Sequence, residues 1–566
     1  MDLQRSLLIG AIAVLSFMLL TEWVAFKEER APTPQTSSRI TSNFPQGNSE
    51  LPVTPTSDSS PVAGDDIPVA VTIPGEDTTE TPVLSETNNH SSFIQVQTGT
   101  LQVAIDLHGG DIAELALSKH LEKLDNPDQP FILLEQNNQR IYIAQSGLIG
   151  PNGIDKGERA SYTSNANSYT LSDGEESLQV DLNWSNSDGL SIVKRFTFRR
   201  DSYLVDVDFL VSNNSSERFQ ANLFGQIKRD SSTDPAANSS GMGMVPFLGA
   251  AVTQPDDRFT KFSFEDMEEE PFKAQLPGGW VAMIQHYFLS AWIPNPDQTH
   301  NYSTRVTGSG FNIAGFTSPA LTLDPGEQGS TGARFYAGPK DQYVLRDISP
   351  YLELSVDYGW LWWIAQPIFW LLTQIQAVVI NWGVAIILLT VLIKGAFFKL
   401  SAKSYQSMAN MRRVQPKMAD IRELYADDKQ KQSQAMMELY KKEKINPMGG
   451  CLPILVQMPV FISLYWVLME AVDLRHAPFF LWIHDLSVMD PYFVLPLMMG
   501  ASMWFMQKLN PPPPDPMQAK IMQWMPVMFT FFFLWFPAGL VLYWVVNNLL
   551  SMAQQYVITK RIEAAG

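Results

Sequence analysis

A chain of 566 residues with 58 acidic and 40 basic side chains is too long for one ordinary domain, and its net charge of −18 conceals a division. Residues 27–357 hold 44 acidic against 22 basic side chains, whereas residues 394–444 hold 12 basic against 6 acidic, a pattern that implies two compartments. A lone cysteine, Cys451, excludes an internal disulfide framework, and lipid anchoring through a cysteine near the N-terminus is not expected.

Residues 7–26 form an apolar run interrupted only by Ser16, Thr21 and Glu22. At ~1.5 Å per helical residue it matches a ~30 Å hydrocarbon core. The rival reading is a cleaved signal peptide. The run is long for one, and no A-x-A-like site precedes the charged residues 27–30, so residues 1–26 are expected to be an uncleaved anchor with a cytoplasmic N-terminus. Residues 27–92 are rich in Pro, Ser, Thr, Asp and Glu. They bury too little apolar surface to offset ordering entropy and read as a disordered periplasmic tether.

Residues 93–340 read as all-β. Leu101, Val103 and Ile105 alternate with polar neighbours before Gly109-Gly110, and Val205, Val207 and Phe209 alternate with Asp206 and Asp208. Many short strands without helical crossovers predict a large antiparallel β-sandwich. Beyond it, residues 341–374 are expected to hold connecting and interfacial helices, with Trp360, Trp362 and Trp363 at the level of an aromatic belt. Residues 375–566 then predict a helical core. Spans are expected at about 375–398, 451–469, 493–506, 521–536 and 538–558, with a cytoplasmic helical hairpin over 399–448.

With the N-terminal anchor, six spans place both termini on one side. The basic 399–444 loop and Lys560-Arg561 mark that side as cytoplasmic and the acidic β domain as external. The fold class is thus a polytopic α-helical membrane protein with six transmembrane helices and a large periplasmic β-sandwich. The 14-residue and 16-residue spans at 493–506 and 521–536 reach only ~21 and ~24 Å, short enough to call for a thinned bilayer or tilted neighbours.

No nucleophile elbow, zinc-protease motif or phosphate loop is present, so no catalytic residue, cofactor or metal is expected. Lys394 closes the apolar run before the hairpin, with Thr390 one turn above it on the same helix face. Either its ammonium snorkels to the headgroups, or it sits in a water-filled cavity open to the cytoplasm that attracts acidic or polar segments of an entering polypeptide. Asn381, Gln457, Gln507, Asn547 and Asn548 add amides to apolar spans; such groups commonly bond neighbouring helices, and a wet cavity requires several to converge. Eighteen of 24 methionines fall between Met408 and Met552, either membrane-core filler or an adaptable apolar surface. In the loop, Met411, Val414, Met418, Ile421 and Tyr425 recur at spacings of three and four, with Met436, Leu439 and Tyr440 on a second arm beyond Asp427-Asp428. Its basic exterior suits anionic lipid, ribosomal RNA or a targeting particle.

Three segments carry a specific resemblance: Asn446-Pro-Met-Gly-Gly-Cys-Leu-Pro-Ile-Leu-Val-Gln-Met-Pro-Val-Phe461, Ala477-Pro-Phe-Phe-Leu-Trp-Ile-His-Asp-Leu486 and Leu534-Trp-Phe-Pro-Ala-Gly-Leu-Val-Leu-Tyr-Trp544. With the anchor and exported β domain, the chain resembles the bacterial form of the Oxa-type membrane protein insertases. That resemblance implies a five-helix insertase core with a hydrophilic groove open to cytoplasm and lipid, lined here by Lys394, Thr390, Gln457 and Asn547. It also implies client contact at Phe461, Phe532, Tyr543 and Trp544. Lys394 stands where well-known members carry arginine, which keeps the charge but not a bidentate fork. Trp544 stands where some relatives carry tyrosine, so no hydroxyl-dependent role carries over. The β domain is expected to serve as a scaffold or docking module, since the family's sandwich resembles sugar-binding ones but no sugar site is marked here.

The implied function is insertion and chaperoning of inner-membrane proteins, not an enzymatic reaction. The implied partners are nascent membrane proteins, the Sec translocon, the ribosome and targeting machinery through the cytoplasmic loops, and the lipid bilayer, with no DNA. The rival class is a secondary transporter or channel with an extracytoplasmic sensor. That class calls for mid-membrane carboxylates, and the last five expected spans contain only Glu470, at an edge.

Overall fold

The computed structural model describes residues 66–68, 93–236, 246–443, 452–509 and 516–565. The expected N-terminal anchor, most of the tether and the Asn446–Cys451 part of the first motif lie outside the described residues.

Alternating apolar residues build two facing sheets of ten and nine strands. In strands Leu190–Arg199 and Leu204–Asn213 every second residue is buried, and the antiparallel register sets Phe198 opposite Val205 and Phe196 opposite Val207. That period of two turns one face of each strand inward. The pairing is antiparallel throughout except between Phe93–Gln97 and Ser168–Thr170. One buried position in this pattern is charged. Lys194 is fully buried, and its ammonium donates to the Gly109 carbonyl at 3.0 Å and the Ser146 carbonyl at 2.8 Å.

Strands Val281–Ile284 and Phe288–Pro294 are buried at every position. A strand buried along its whole length must be covered on both faces. The inner face joins the sandwich core. The outer face, with Ala251, Trp280, Leu289 and Tyr336, belongs to the same apolar cluster as the helices that follow. Short helix α1 (Phe264–Glu269) begins at Ser263 with a capping box. Helix α2 (Gln342–Ile348) begins at Asp341, and its Leu345 lies in that shared cluster.

The remaining helices are α3 (Trp362–Val379), α4 (Trp382–Ala396), α5 (Phe398–Leu424), α6 (Lys429–Lys442), α7 (Leu452–Glu470), α8 (Val494–Leu509), α9 (Pro516–Phe532) and α10 (Ala538–Ala565). The span expected from 375 to 398 is corrected here, because the boundary at 374/375 falls inside α3. Ile380 ends α3 in the left-handed region at φ 58°, and Asn381 opens α4 by accepting from the Val384 N–H at 3.0 Å. At Phe397 the chain turns again, and α4 and α5 meet at a 67° bend. Helices α5 and α6 pack against one another. Val414, Met418 and Leu439 are their small core, and Asp428 caps α6 through the Gln430 and Lys431 N–H groups.

Among the described residues no single helix is long and apolar enough to cross a membrane; α4 with the first part of α5 passes only as a bent pair. The helices nevertheless present large apolar side chains outward. Val527, Met528 and Phe531 on α9 are 57%, 64% and 62% exposed, and Trp362, Trp363 and Trp370 on α3 exceed 50%. Such a continuous apolar exterior calls for a lipid or protein covering.

The sandwich is fixed to the helices by polar contacts at the end of α7. Lys340 Nζ meets Glu470 Oε2 at 2.5 Å with both side chains below 5% exposure. His286 Nε2 donates to the Met469 carbonyl at 2.9 Å, and Arg475 donates to the Glu122 carbonyl at 3.0 Å while lying over Phe131 and Phe288. A buried pair is costly to break because one uncompensated charge remains, about 3–5 kcal/mol. Lys340→Met is therefore expected to lower the urea unfolding midpoint in detergent strongly, and Lys340→Met with Glu470→Leu to recover most of the loss.

Burial, helped by the Lys340 and Arg475 charges, lowers the His286 pKa to about 3, and its buried Nδ1 has no partner among the described residues. The folded chain thus keeps His286 neutral while the unfolded chain takes up a proton near pH 6.5. This contribution is complete above that pH and falls as pH drops toward 3. Unfolding free energies measured between pH 6 and 4 are expected to show His286→Gln removing about 1.4 kcal/mol per pH unit from the acid slope.

Candidate functional site

Lys394 lies in the last turn of α4 and is 7% exposed. Its ammonium donates to Ser551 Oγ on α10 at 2.6 Å, and Ser551 Oγ donates to the Asn547 carbonyl one turn earlier at 2.7 Å. Tyr405 on α5 also hydrogen-bonds Ser551. Three helices therefore meet on one serine hydroxyl. Among the described residues no carboxylate lies within ion-pair distance of Lys394. A buried ammonium has three donors, and a charge without a counter-charge favours any anionic or polar group that reaches it.

The other expected lining residues are not equivalent. Thr390 is buried, but its hydroxyl donates to the Ile386 carbonyl at 2.6 Å within its own helix. Asn547 enters through its backbone carbonyl, with its side chain half-buried. Gln457 is half-buried on α7, and none of the described hydrogen bonds joins it to Lys394. The other amides are spent apart from this cluster. Asn381 caps α4, Asn548 donates to Ser502 on α8 at 2.9 Å, and Gln507 on α8 donates to the Met522 carbonyl on α9. Sequence reasoning missed Ser551 and Tyr405. The four-residue step from Asn547 to Ser551 along α10 is the signal that could have found the serine.

The expected client contacts form one aromatic cluster. Phe461 on α7 lies edge-on to Trp544 at 4.6 Å between ring centroids and stacks with Tyr543 at 6.2 Å. Trp544 also meets Phe533 at 5.5 Å, and Phe533 meets Phe532 at 5.7 Å. Accessibility divides them: Phe532 is 36% exposed, while Tyr543 is 3% exposed and packed inside. Helices α8 and α9 approach closely at Gly500, where a side chain would strike Thr530.

Two family models match in tandem, "YidC periplasmic domain" over residues 93–371 and "60Kd inner membrane protein" over residues 374–565. The membrane protein insertase YidC of Marinomonas sp. (strain MWYL1) is 51% identical over 566 residues, covering all of both chains. The chain belongs to the YidC family. The YidC proteins of Pseudomonas fluorescens (strain SBW25) and Pseudomonas aeruginosa PAO1 are 51% and 50% identical, each covering 100% of this chain and 99% of the relative. The two family models adjoin inside α3, so the YidC-type periplasmic and membrane parts share one continuous helix. An inner-membrane location for this YidC-family chain accounts for the apolar exterior of its helices.

The Trp544 indole N–H is buried without a hydrogen-bond partner among the described residues. Trp544→Phe removes that unsatisfied donor and keeps a ring against Phe461, so the unfolding midpoint in detergent is expected to stay within about 1 kcal/mol of wild type. Trp544→Ala, which empties the cluster, is expected to cost about 3–5 kcal/mol.

Proposed function

We propose that the chain inserts integral proteins into the inner membrane and assists their folding, using the Lys394–Ser551 junction as the cationic floor of a cytoplasm-facing groove. The carrying observation is a buried ammonium, bonded to a serine and without a carboxylate partner, at the basic-hairpin end of α4. The 51% identity to YidC insertases over the full chain supports the same reading.

Each polar group left unsatisfied in hydrocarbon costs several kcal/mol, which is the barrier to carrying a client's polar segment across. A positive floor lowers that barrier for acidic and polar residues. Burial of the client's apolar span then drives the step, aided by the membrane potential at ~2.3 kcal/mol per charge per 100 mV. In this reading Phe532 is the aromatic a client meets first. Phe461 and Trp544 back it, and Tyr543 supports the cluster from within. Thr390, Gln457 and Asn547 give the groove polar walls.

The topology proposed with it has six spans, cytoplasmic termini and a periplasmic sandwich. Charge supports it, because the hairpin is basic and residues 27–357 are acidic. The nascent client is the primary partner, with the Sec translocon, the ribosome and targeting machinery as further ones. A transporter reading is not favoured, since Glu470 is paired with Lys340 beneath the sandwich and is no mid-membrane carboxylate.

The test is insertion of a small one- or two-span client into proteoliposomes containing only this protein. Lys394→Ala is expected to reduce insertion several-fold and Lys394→Glu to reduce it furthest. Equal insertion by all three proteins removes Lys394 from the working site. Insertion no greater than in protein-free liposomes removes autonomous activity.

A further inference from the structure

In the acidic stretch 27–92, residues Asp66, Ile67 and Pro68 are described, and all three are half-buried. Asp66 is held by strands far away in sequence. Its Oδ2 accepts from Lys228 Nζ at 2.6 Å, and its carbonyl accepts from Gln226 Nε2 at 2.6 Å and from Arg305 Nη2 at 3.1 Å.

These partners are also bonded to one another. Gln226 is 1% exposed, receives Arg305 Nη2 on its Oε1 at 3.2 Å and donates to Gln145 Oε1 at 2.9 Å, while Gln145 donates to Asp111 Oδ2 at 2.9 Å. Lys228 sits 4.3 Å from the centre of the Phe311 ring, so carboxylate and aromatic face clasp one ammonium. Register places both cations beside the same residue, since Lys228 and Arg305 each lie opposite Ile313. Gly315, opposite both Gln226 and Ser303, carries no side chain and lets Gln226 pack closely over it. Asp66 and Ile67 reach these partners in a turn and bend that end at Pro68.

We infer that this row on the ten-stranded sheet is a binding site for a short acidic peptide turn, filled in cis by Asp66 and thereby clipping the tether to the sandwich. The site reads one carboxylate through Lys228 and one backbone carbonyl through Gln226 and Arg305. This inference is independent of the insertase reading.

The full chain in detergent provides the test, with hydrogen exchange followed at the Asp66 and Ile67 amides. Exchange is expected to be at least tenfold slower in wild type than in Asp66→Lys or Lys228→Glu, and the double variant Asp66→Lys/Lys228→Glu is expected to regain protection. A fluorescein-labelled peptide of residues 61–72 is expected to bind Asp66→Lys at least tenfold tighter than wild type, with loss of binding in high salt. The double variant is expected to reject it. Equal exchange in wild type and Asp66→Lys, or a peptide that binds the two proteins alike, overturns the inference.

Discussion

The buried pair of Lys340 and Glu470 joins two halves of very different character. One partner follows the last strand of the sandwich and the other ends α7, and the two are 130 residues apart. Such a pair is tolerable only where hydrogen bonds and packing hold it, because neither charge can return to water. Trp280 donating to the Pro350 carbonyl, Arg334 donating to the Ile348 carbonyl and the shared apolar cluster provide that setting. The sheet therefore rests on the helices as a third layer of one core.

The helical part solves a different problem. Its outside is apolar, so its polar groups must find partners within the bundle. They do so in small separate knots: Lys394 with Ser551 and Tyr405, Asn548 with Ser502, and Gln507 with the Met522 carbonyl. Only the first contains a charge without a counter-ion among the described residues. Within such a bundle that difference sets the Lys394 knot apart from bonds that merely hold helices together.

Much of this was legible in the chain. Period-two alternation exposed strands such as Leu204–Asn213, and the three-and-four spacing from Met411 to Ile421 exposed the hairpin. Lys194 was invisible as a core residue because hydropathy alone places lysine at the surface, and its two carbonyl acceptors come from a distant turn and another strand. The break at Ile380 was missed because apolar residues continue through it, although Asn381 before an apolar run is an N-cap signal. Lys394 stood out by position; Ser551, 157 residues away, could not. Tyr543 read as a client contact by resemblance, yet its ring is enclosed by Phe461 and its neighbours, an outcome of packing that no local pattern encodes.

The doubly covered strands Val281–Ile284 and Phe288–Pro294 also constrain how this protein is made. Their outer face shares one apolar cluster with Leu345, Leu352 and Tyr358, and with Leu464 and Leu468 of α7. During synthesis from the N-terminus, the sheet is complete before α7 has left the ribosome. Until then an apolar face of the sheet waits for a helix still to be made. Completion of the sandwich is therefore timed by synthesis of its own C-terminal half, and a chain truncated before α7 would carry a sticky, unfinished sheet.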